Sequence, residues 1–217
     1  MVWLEPLATL LNTNNIQVVF ATGSLSRKKT LEEKGLGFVE FRESHCGERT
    51  DETDPEKVVK EIALRKAQAV YERLSNQSDV KTIVIGADTI VTIGNRILTK
   101  PKGEGEHQKY NSAFNMLKSL SGKENVVVTG LAIIYPDGEE FFHVEKTKVY
   151  FSELTDEQIS CYVKTKEPMD KAGAYAIQGL AGTFIKCIEG DYFSVLGAPV
   201  HAICQILYEW INKKNTK

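Results

Sequence analysis

Apolar and polar positions along the chain follow two different periods, and each change of period marks a predicted element. Runs such as IQVVFAT are typical of buried strands, whereas apolar residues spaced three or four apart are typical of amphipathic helices. Thr53, Asp54, Pro55 and Glu56 supply a cap, a helix-start proline and a first-turn acid for the longest helix. Strands are predicted at residues 16–22, 38–41, 83–85, 126–135, 141–151, 183–188 and 192–196, and helices at 24–35, 55–70, 106–120, 155–164 and 199–211.

The order of these elements indicates the fold class. Strands alternate with helices in the first half of the chain and cluster afterwards, which favours a mixed α/β sheet with flanking helices over a purely parallel one. The length of 217 residues suits one domain of two lobes around a cleft. We expect residues 1–15 to form an N-terminal extension with a short helix and residues 16–217 to form the domain.

One predicted strand, an apolar run of residues, leads to an aspartate. Residues 83–85 read as a central strand, and Gly86 and Ala87 would let the backbone turn at the strand end before Asp88 and Thr89. A hairpin-like segment then leads to Lys100, so that carboxylate, hydroxyl and ammonium could meet at one rim. The alternative is equally open from these residues alone: Asp88 only caps a turn and Lys100 is solvated.

Composition narrows the class of partner. The formal net charge is −2 and the pI about 6.1, which argues against a nucleic-acid coat and against a basic membrane arm. No apolar stretch approaches the roughly 18 residues of a membrane span. The N-terminus lacks a signal-peptide pattern, and four scattered cysteines suggest reduced thiols in a cytosolic protein. A small ligand is the expected partner.

A nucleoside triphosphate would need several cations, and the chain offers candidates. Thr22, Gly23 and Ser24 join a strand to a helix start, where backbone N–H groups and hydroxyls can face a phosphate, and Arg27 lies one turn further. Lys66 could reach inward from the long helix. The alternatives are a simple helix cap and a solvated lysine.

Acids and a polar motif complete the candidate set. Glu48, with Glu52 nearby, could join Asp88 in binding Mg²⁺ through oxygen ligands, although a surface-acid interpretation stays open. Asp170 and Lys171 precede small residues that would let a ligand approach the backbone, or simply form a tight turn.

Taken together, five motifs resemble the Maf family of nucleoside triphosphate pyrophosphatases over residues 18–207: GADT at 86–89, KP at 100–101, LSG at 120–122, EPMDKAGAYAIQG at 167–179 and GDYFSVLGAP at 190–199. The resemblance implies an elongated two-lobed α/β fold similar to inosine triphosphate pyrophosphatases. It also implies a cytoplasmic, metal-dependent homodimer that converts a nucleoside triphosphate and water to the monophosphate and pyrophosphate.

The resemblance also implies residue roles. Asp88 matches the catalytic acid, which would activate water and bind a divalent ion, Mg²⁺ with Mn²⁺ or Co²⁺ as alternatives. Glu48 matches a second metal-binding acid, with Glu52 as the alternative because the loop aligns only with an insertion. Phosphate-binding positions are Thr22, Ser24, Arg27, Lys66 and Lys100; base-selecting positions are Ser26, Thr89 and Gln178; Asp170 and Lys171 belong to the same motif set.

The resemblance also implies a substrate branch, from which the chain departs at one place. Thr89 and Gln178 have the identities of the dTTP/UTP branch, whereas the 7-methyl-GTP branch resembles GSDQ at the first motif and lacks the glutamine. Relatives usually read A-S-x-S-P-R-R where this chain has Leu25 and Ser26 before Arg27, so a proline and an arginine are missing. Two alternatives therefore stay open: a 7-methyl-GTP pyrophosphatase, and a nucleotide-binding regulator that has lost turnover.

Overall fold

The computed structural model describes residues 4–75 and 80–215 of the chain. The helices are α1 (Leu4–Thr13), α2 (Leu25–Glu33), α3 (Pro55–Ser75), α4 (Glu106–Leu120), α5 (Asp156–Lys164), α6 (Tyr192–Val195) and α7 (Val200–Asn215). The strands are β1 (Ile16–Ala21), β2 (Val39–Arg42), β3 (Lys81–Ile93), β4 (Arg96–Leu98), β5 (Glu124–Ile134), β6 (Glu140–Phe151) and β7 (Ile185–Glu189).

The strands form one seven-stranded mixed sheet in the order β2-β1-β3-β5-β6-β7, with β4 paired to β3. β1 runs parallel to both β2 and β3, while β3 with β4 and β6 with β7 are antiparallel pairs. Helical crossovers are needed to return parallel strands to one sheet, and α2 and α3 supply them here. The predicted mixed sheet with flanking helices is confirmed.

The chain divides into two compact units. The first comprises Met1–Asp88, Gly130–Val144 and Gly197–Lys217. Its largest apolar cluster brings Leu7 and Leu11 of α1 together with Phe20 of β1 and Leu207 of α7, all at most 2% exposed. The N-terminal extension therefore packs through α1 into this core; residues 1–3 lie outside the described part of the chain.

Two glycines seat α3 on the sheet of the first unit. A Cβ built on Gly86 of β3 would lie 2.1 Å from the carbonyl oxygen of Ala63, and one on Gly130 would lie 2.8 Å from Cγ2 of Val59. Both distances are far below van der Waals contact, so α3 can pack this closely only because these strand positions lack side chains.

The second unit comprises Thr89–Thr129 and Glu145–Leu196. Leu117 of α4 is fully buried in its core, and Phe151 packs edge-to-face against Tyr175 and Phe184. α5 begins at the predicted capping box, because Thr155 accepts from the backbone of Gln158 while the Gln158 side chain accepts from the backbone of Thr155.

Two predictions about secondary structure are wrong. β3 does not end before Asp88 but continues to Ile93, and the edge expected there is instead the end of neighbouring β1, whose Ala21 pairs with Gly86. Gly86 therefore serves helix packing rather than a turn. Residues 192–196 were predicted as a strand, but residues 192–195 form α6, because Asp191 accepts from two backbone N–H groups as an N-cap.

Candidate active site

A buried ion pair lies at the centre of the candidate site in the first unit. Lys66 projects from α3 and its Nζ lies 2.7 Å from Oδ1 of Asp88 on β3. Each of the two residues is only 8% exposed. The close seating of α3 on Gly86 brings the two backbones near enough for this contact. A buried charge pair of this kind is uncommon without a functional or structural reason.

A second carboxylate shares the same ammonium. Oε1 of Glu48 lies 2.8 Å from Lys66 Nζ, although the Glu48 side chain is 44% exposed. Arg65 of α3 holds the loop around Glu48, since its guanidinium donates to the carbonyl oxygens of Gly47 and Arg49 at 3.0 and 2.7 Å. Glu52, the alternative second acid, is exposed and does not share that ion pair.

The turn between β1 and α2 holds a second buried cation. Ser24 caps α2 by accepting from the backbone of Arg27. The Arg27 side chain folds back under the turn, with Nε donating to the Gly197 carbonyl at 2.6 Å and Nη1 to the Thr22 hydroxyl at 3.1 Å. Arg27 is 8% exposed, so this guanidinium is fixed in place rather than free in solvent. Ser26 in the first turn of α2 is half-buried.

Burial dominates the electrostatics of these groups. Desolvation raises the pKa of Asp88, against the lowering effect of the Lys66 charge and hydrogen bond. Desolvation also lowers the pKa of Arg27, against the opposing effects of Asp88 and Glu48. The charge of Arg27, like that of Lys66, lowers the pKa of Asp88, so the two cations act on the same carboxylate. A carboxylate whose pKa is raised is a stronger base than an ordinary aspartate.

The donor set fits a divalent cation that binds together with phosphates. Asp88 and Glu48 both form ion pairs with one positive charge, the Lys66 ammonium. Mg²⁺ typically takes one or two protein carboxylates and completes its shell with water and substrate oxygens. Among the residues that the structure describes, no group of three or more His, Cys, Asp or Glu side chains is placed to hold a metal ion.

The other candidate residues belong to the second unit. Lys100 and Gln178 are exposed, and Lys171 forms an ion pair with the exposed carboxylate of Asp170. The backbone N–H of Gly173 donates to the Thr99 carbonyl at 3.2 Å and so ties the Lys171 segment to the residue before Lys100.

Behind Thr89 lie polar residues that the sequence interpretation missed. The Thr89 hydroxyl lies 2.9 Å from that of Thr129, and Thr129 continues to the backbone oxygen of Ser194 at 2.8 Å. Thr129 interrupts the apolar run VVVTGLAII, which is the same kind of signal that singled out Asp88. Ser194 carried no such signal, since a serine beside aromatic residues is common in any loop.

Comparisons with known proteins agree with the motifs. The family model described as Maf-like protein matches residues 17–210. A dTTP/UTP pyrophosphatase from Geobacillus sp. (strain WCH70) is 48% identical over 85% of this chain and 92% of its own length, and one from Alkaliphilus oremlandii is 46% identical over 88% and 94%. A HAM1 protein structure from Coxiella burnetii has a TM-score of 0.47 and 12% identity over 89% of this chain and 99% of that chain, a likeness too weak to add to the assignment.

Proposed function

The chain belongs to the Maf-like family, and on that premise we propose that it hydrolyses a nucleoside triphosphate to the monophosphate and pyrophosphate, with UTP and dTTP as substrates. The names of the relatives support the reaction and the bases. The observation that carries the proposal is the buried contact of Lys66 with Asp88, shared by Glu48, because it supplies a base beside cations in one place.

In the proposed reaction Asp88 acts as the general base. Its carboxylate takes a proton from water as the water oxygen bonds to the α-phosphorus, and the bond from that phosphorus to the pyrophosphate oxygen breaks. In the metal-free protein, burial raises the pKa of Asp88 and makes its carboxylate a stronger base. Asp88 and Glu48 would hold Mg²⁺, with Mn²⁺ or Co²⁺ as alternatives, which would supply positive charge to the phosphate oxygens.

Cationic groups would bind the phosphates and stabilise the charge on the leaving pyrophosphate. Arg27 suits this role because its contacts with Gly197 and Thr22 use two of its five N–H donors and fix its plane. Lys66 supplies a second charge, and Ser24 lies in the same turn as Arg27. Lys100 of the second unit is proposed as a further phosphate ligand.

Base selection is assigned to Thr89 and Gln178, with Ser26 as a third position. An exposed glutamine can both donate to a carbonyl and accept from an N–H group, as the edge of a pyrimidine requires. Asp170 and Lys171 are proposed to border this region of the second unit. The homodimeric state and the cytoplasmic location implied by the resemblance are also proposals, which light scattering and cell fractionation would test.

The test is a nucleotide panel with product identification. The purified protein is incubated with UTP, dTTP, CTP and 7-methyl-GTP, with Mg²⁺ or with a chelator, and pyrophosphate and monophosphate are quantified. We expect Mg²⁺-dependent release of pyrophosphate, fastest from UTP and dTTP. Preferential cleavage of 7-methyl-GTP would overturn the base assignment. Tight nucleotide binding without products would instead favour a regulator, the alternative that the departure at Leu25 and Ser26 raises.

A further inference from the structure

A chain of buried hydroxyl groups leads inward from Thr89 in the second unit. Thr89 is half-buried on β3, while Thr129 on β5, Thr147 on β6 and Ser194 on α6 are fully buried. The hydroxyl oxygens of Thr89 and Thr129 are 2.9 Å apart, and those of Thr147 and Ser194 are 2.8 Å apart. Thr129 joins the two halves through its 2.8 Å contact with the Ser194 carbonyl oxygen.

The inner end of the chain is fixed by backbone oxygens. The Ser194 hydroxyl donates to the carbonyl of Asp191 at 2.8 Å, and Thr147 approaches the same carbonyl at 3.1 Å. The Asp191 carboxylate in turn accepts from the backbone N–H groups of Phe193 and Ser194, at 3.0 and 2.8 Å. Several hydrogen bonds to Asp191 therefore hold Ser194, the residue whose carbonyl accepts from Thr129, in place.

These contacts determine the direction of the hydrogen bond made by Thr89. A hydroxyl has one hydrogen to donate, and a carbonyl oxygen has none. The 2.8 Å contact between Thr129 and the Ser194 carbonyl therefore uses the hydrogen of Thr129. Thr129 can then only accept from Thr89, so the hydrogen of Thr89 points inward at Thr129. The remaining capacity of Thr89 toward any ligand is that of an acceptor.

We propose that Thr129 is a positioning residue for base selection: it makes Thr89 a pure acceptor, and Thr89 then recognises the N3–H group of uracil or thymine. This inference rests on the proposed function, because it assigns Thr89 to the base. The N3–H group is the one donor on that edge of either base, between two carbonyl oxygens. Cytosine carries a lone pair at N3 instead, so an acceptor facing it would be repelled. The methyl group that separates thymine from uracil lies elsewhere, so both would be accepted alike.

The first test uses the unaltered protein and changes only the nucleotide. We expect kcat/KM for UTP to exceed that for 3-methyluridine triphosphate and for CTP by at least about tenfold, because each analogue lacks the N3 donor and leaves a polar group unpaired. Equal kcat/KM for UTP and either analogue would overturn the inference. Absence of pyrophosphate release from UTP itself would instead refute the proposed function.

The second test removes the Thr129 hydroxyl, which fixes the direction of the hydrogen bond made by Thr89. Thr129→Val keeps the shape of the side chain and frees the Thr89 hydrogen to turn toward a ligand acceptor. The Ser194 carbonyl also accepts from the backbone of Leu196, so the substitution does not leave it without a donor. We expect the ratio of kcat/KM for UTP to that for CTP to fall by roughly tenfold, chiefly through better use of CTP.

The matched control is Thr92→Val on the same strand. Thr92 is 8% exposed and donates to the carbonyl of Val126 at 3.2 Å, so the control also removes a buried threonine-to-carbonyl bond. We expect its ratio of UTP to CTP to stay unchanged. A purely structural role for Thr129 would lower kcat/KM for both nucleotides together and leave the ratio as it is, and that result would overturn the inference. Should Thr129→Val fail to fold, the comparison of nucleotides on the unaltered protein decides alone.

Discussion

Asp88 and Thr89 are neighbours in β3, yet each leads to a different kind of buried polar network. Asp88 belongs to the first unit, where its partners are charged: Lys66, with Glu48 and Arg27 acting on the same centre. Thr89 belongs to the second unit, where its partner Thr129 is neutral and the next links are hydroxyls and carbonyls, while the Asp191 carboxylate accepts from backbone N–H groups of α6. One strand thus supplies both networks from consecutive residues.

The difference separates reactivity from selectivity. Burying charges costs solvation free energy, and this cost is visible in the raised pKa of Asp88 and the lowered pKa of Arg27. That cost yields a strong base and fixed cations for a polyanionic substrate. A hydroxyl network costs little and does not titrate, but it fixes which atoms donate and which accept. Charged groups therefore suit the binding of phosphates, and hydrogen bonds of fixed direction suit the recognition of a base.

The largest expected effect follows from neutralising Asp88. Asp88→Asn should lower kcat for pyrophosphate release by about a thousandfold, because the amide cannot take a proton from water. The assay is steady-state pyrophosphate release from UTP with Mg²⁺. Glu52→Gln is the matched control, since that exposed acid does not share the Lys66 pair, and it should retain activity. An active Asp88→Asn protein would remove Asp88 from the proposed mechanism.

The next effect concerns stability and its dependence on pH. Lys66→Met leaves Asp88 buried without its ammonium, and we expect the free energy of unfolding of the metal-free protein to fall by about 3 kcal/mol at pH 8. The loss should shrink at pH 5. The folded-state pKa of Asp88 is already raised, so the folded state binds a proton before the unfolded state does, and acid relieves the unpaired charge.

Urea denaturation at the two pH values measures this effect. Lys57→Met, an exposed change on the same helix, should stay within about 0.5 kcal/mol of the parent protein at both. A loss for Lys66→Met that is equal at pH 5 and pH 8 would contradict the view that the cost arises from the Asp88 charge.

The smallest effect is expected in the hydroxyl network. Ser194→Ala should lower the free energy of unfolding by about 1 kcal/mol, because Thr147 keeps the Asp191 carbonyl as an acceptor at 3.1 Å. Since the hydroxyl and carbonyl groups involved carry no charge at either pH, the loss should be the same at pH 5 and pH 8. Urea denaturation of both variants side by side would show whether the ionic and neutral networks differ as described; a pH-dependent loss for Ser194→Ala would contradict it.

Local signals were enough to predict much of the fold. α4 has the bounds 106–120 that its apolar spacing and following glycine indicated, and α5 begins at the predicted capping box. Helix ends without such signals were placed less well: the long helix was predicted to end at residue 70 and continues to Ser75. Propensity also misplaced residues 192–195, where the cap from Asp191 outweighs the aromatic preference for strands.

The candidate site shows where sequence reasoning stops. Asp88 was singled out because it follows an apolar run. The run alone could not show whether the strand itself ends before Asp88 or whether the neighbouring strand ends there. The structure shows that the neighbouring strand, β1, ends beside β3. The contact of Lys66 with Asp88 depends on how closely α3 packs on Gly86, which is a tertiary distance. The Thr89 network depends on side chains 40 or more residues apart, so no local pattern specifies it.

The missing side chain at Gly86 has a consequence for protein engineering. A single added methyl group at position 86 would collide with the backbone of α3 at Ala63. It would displace the helix that carries the Lys66 ammonium. Redesign can therefore replace the charged residues around Asp88 one by one, but the distance between those residues and Asp88 depends on the absence of a side chain at position 86. In a library that keeps every polar residue but randomises position 86, we expect the variants without glycine there to be inactive.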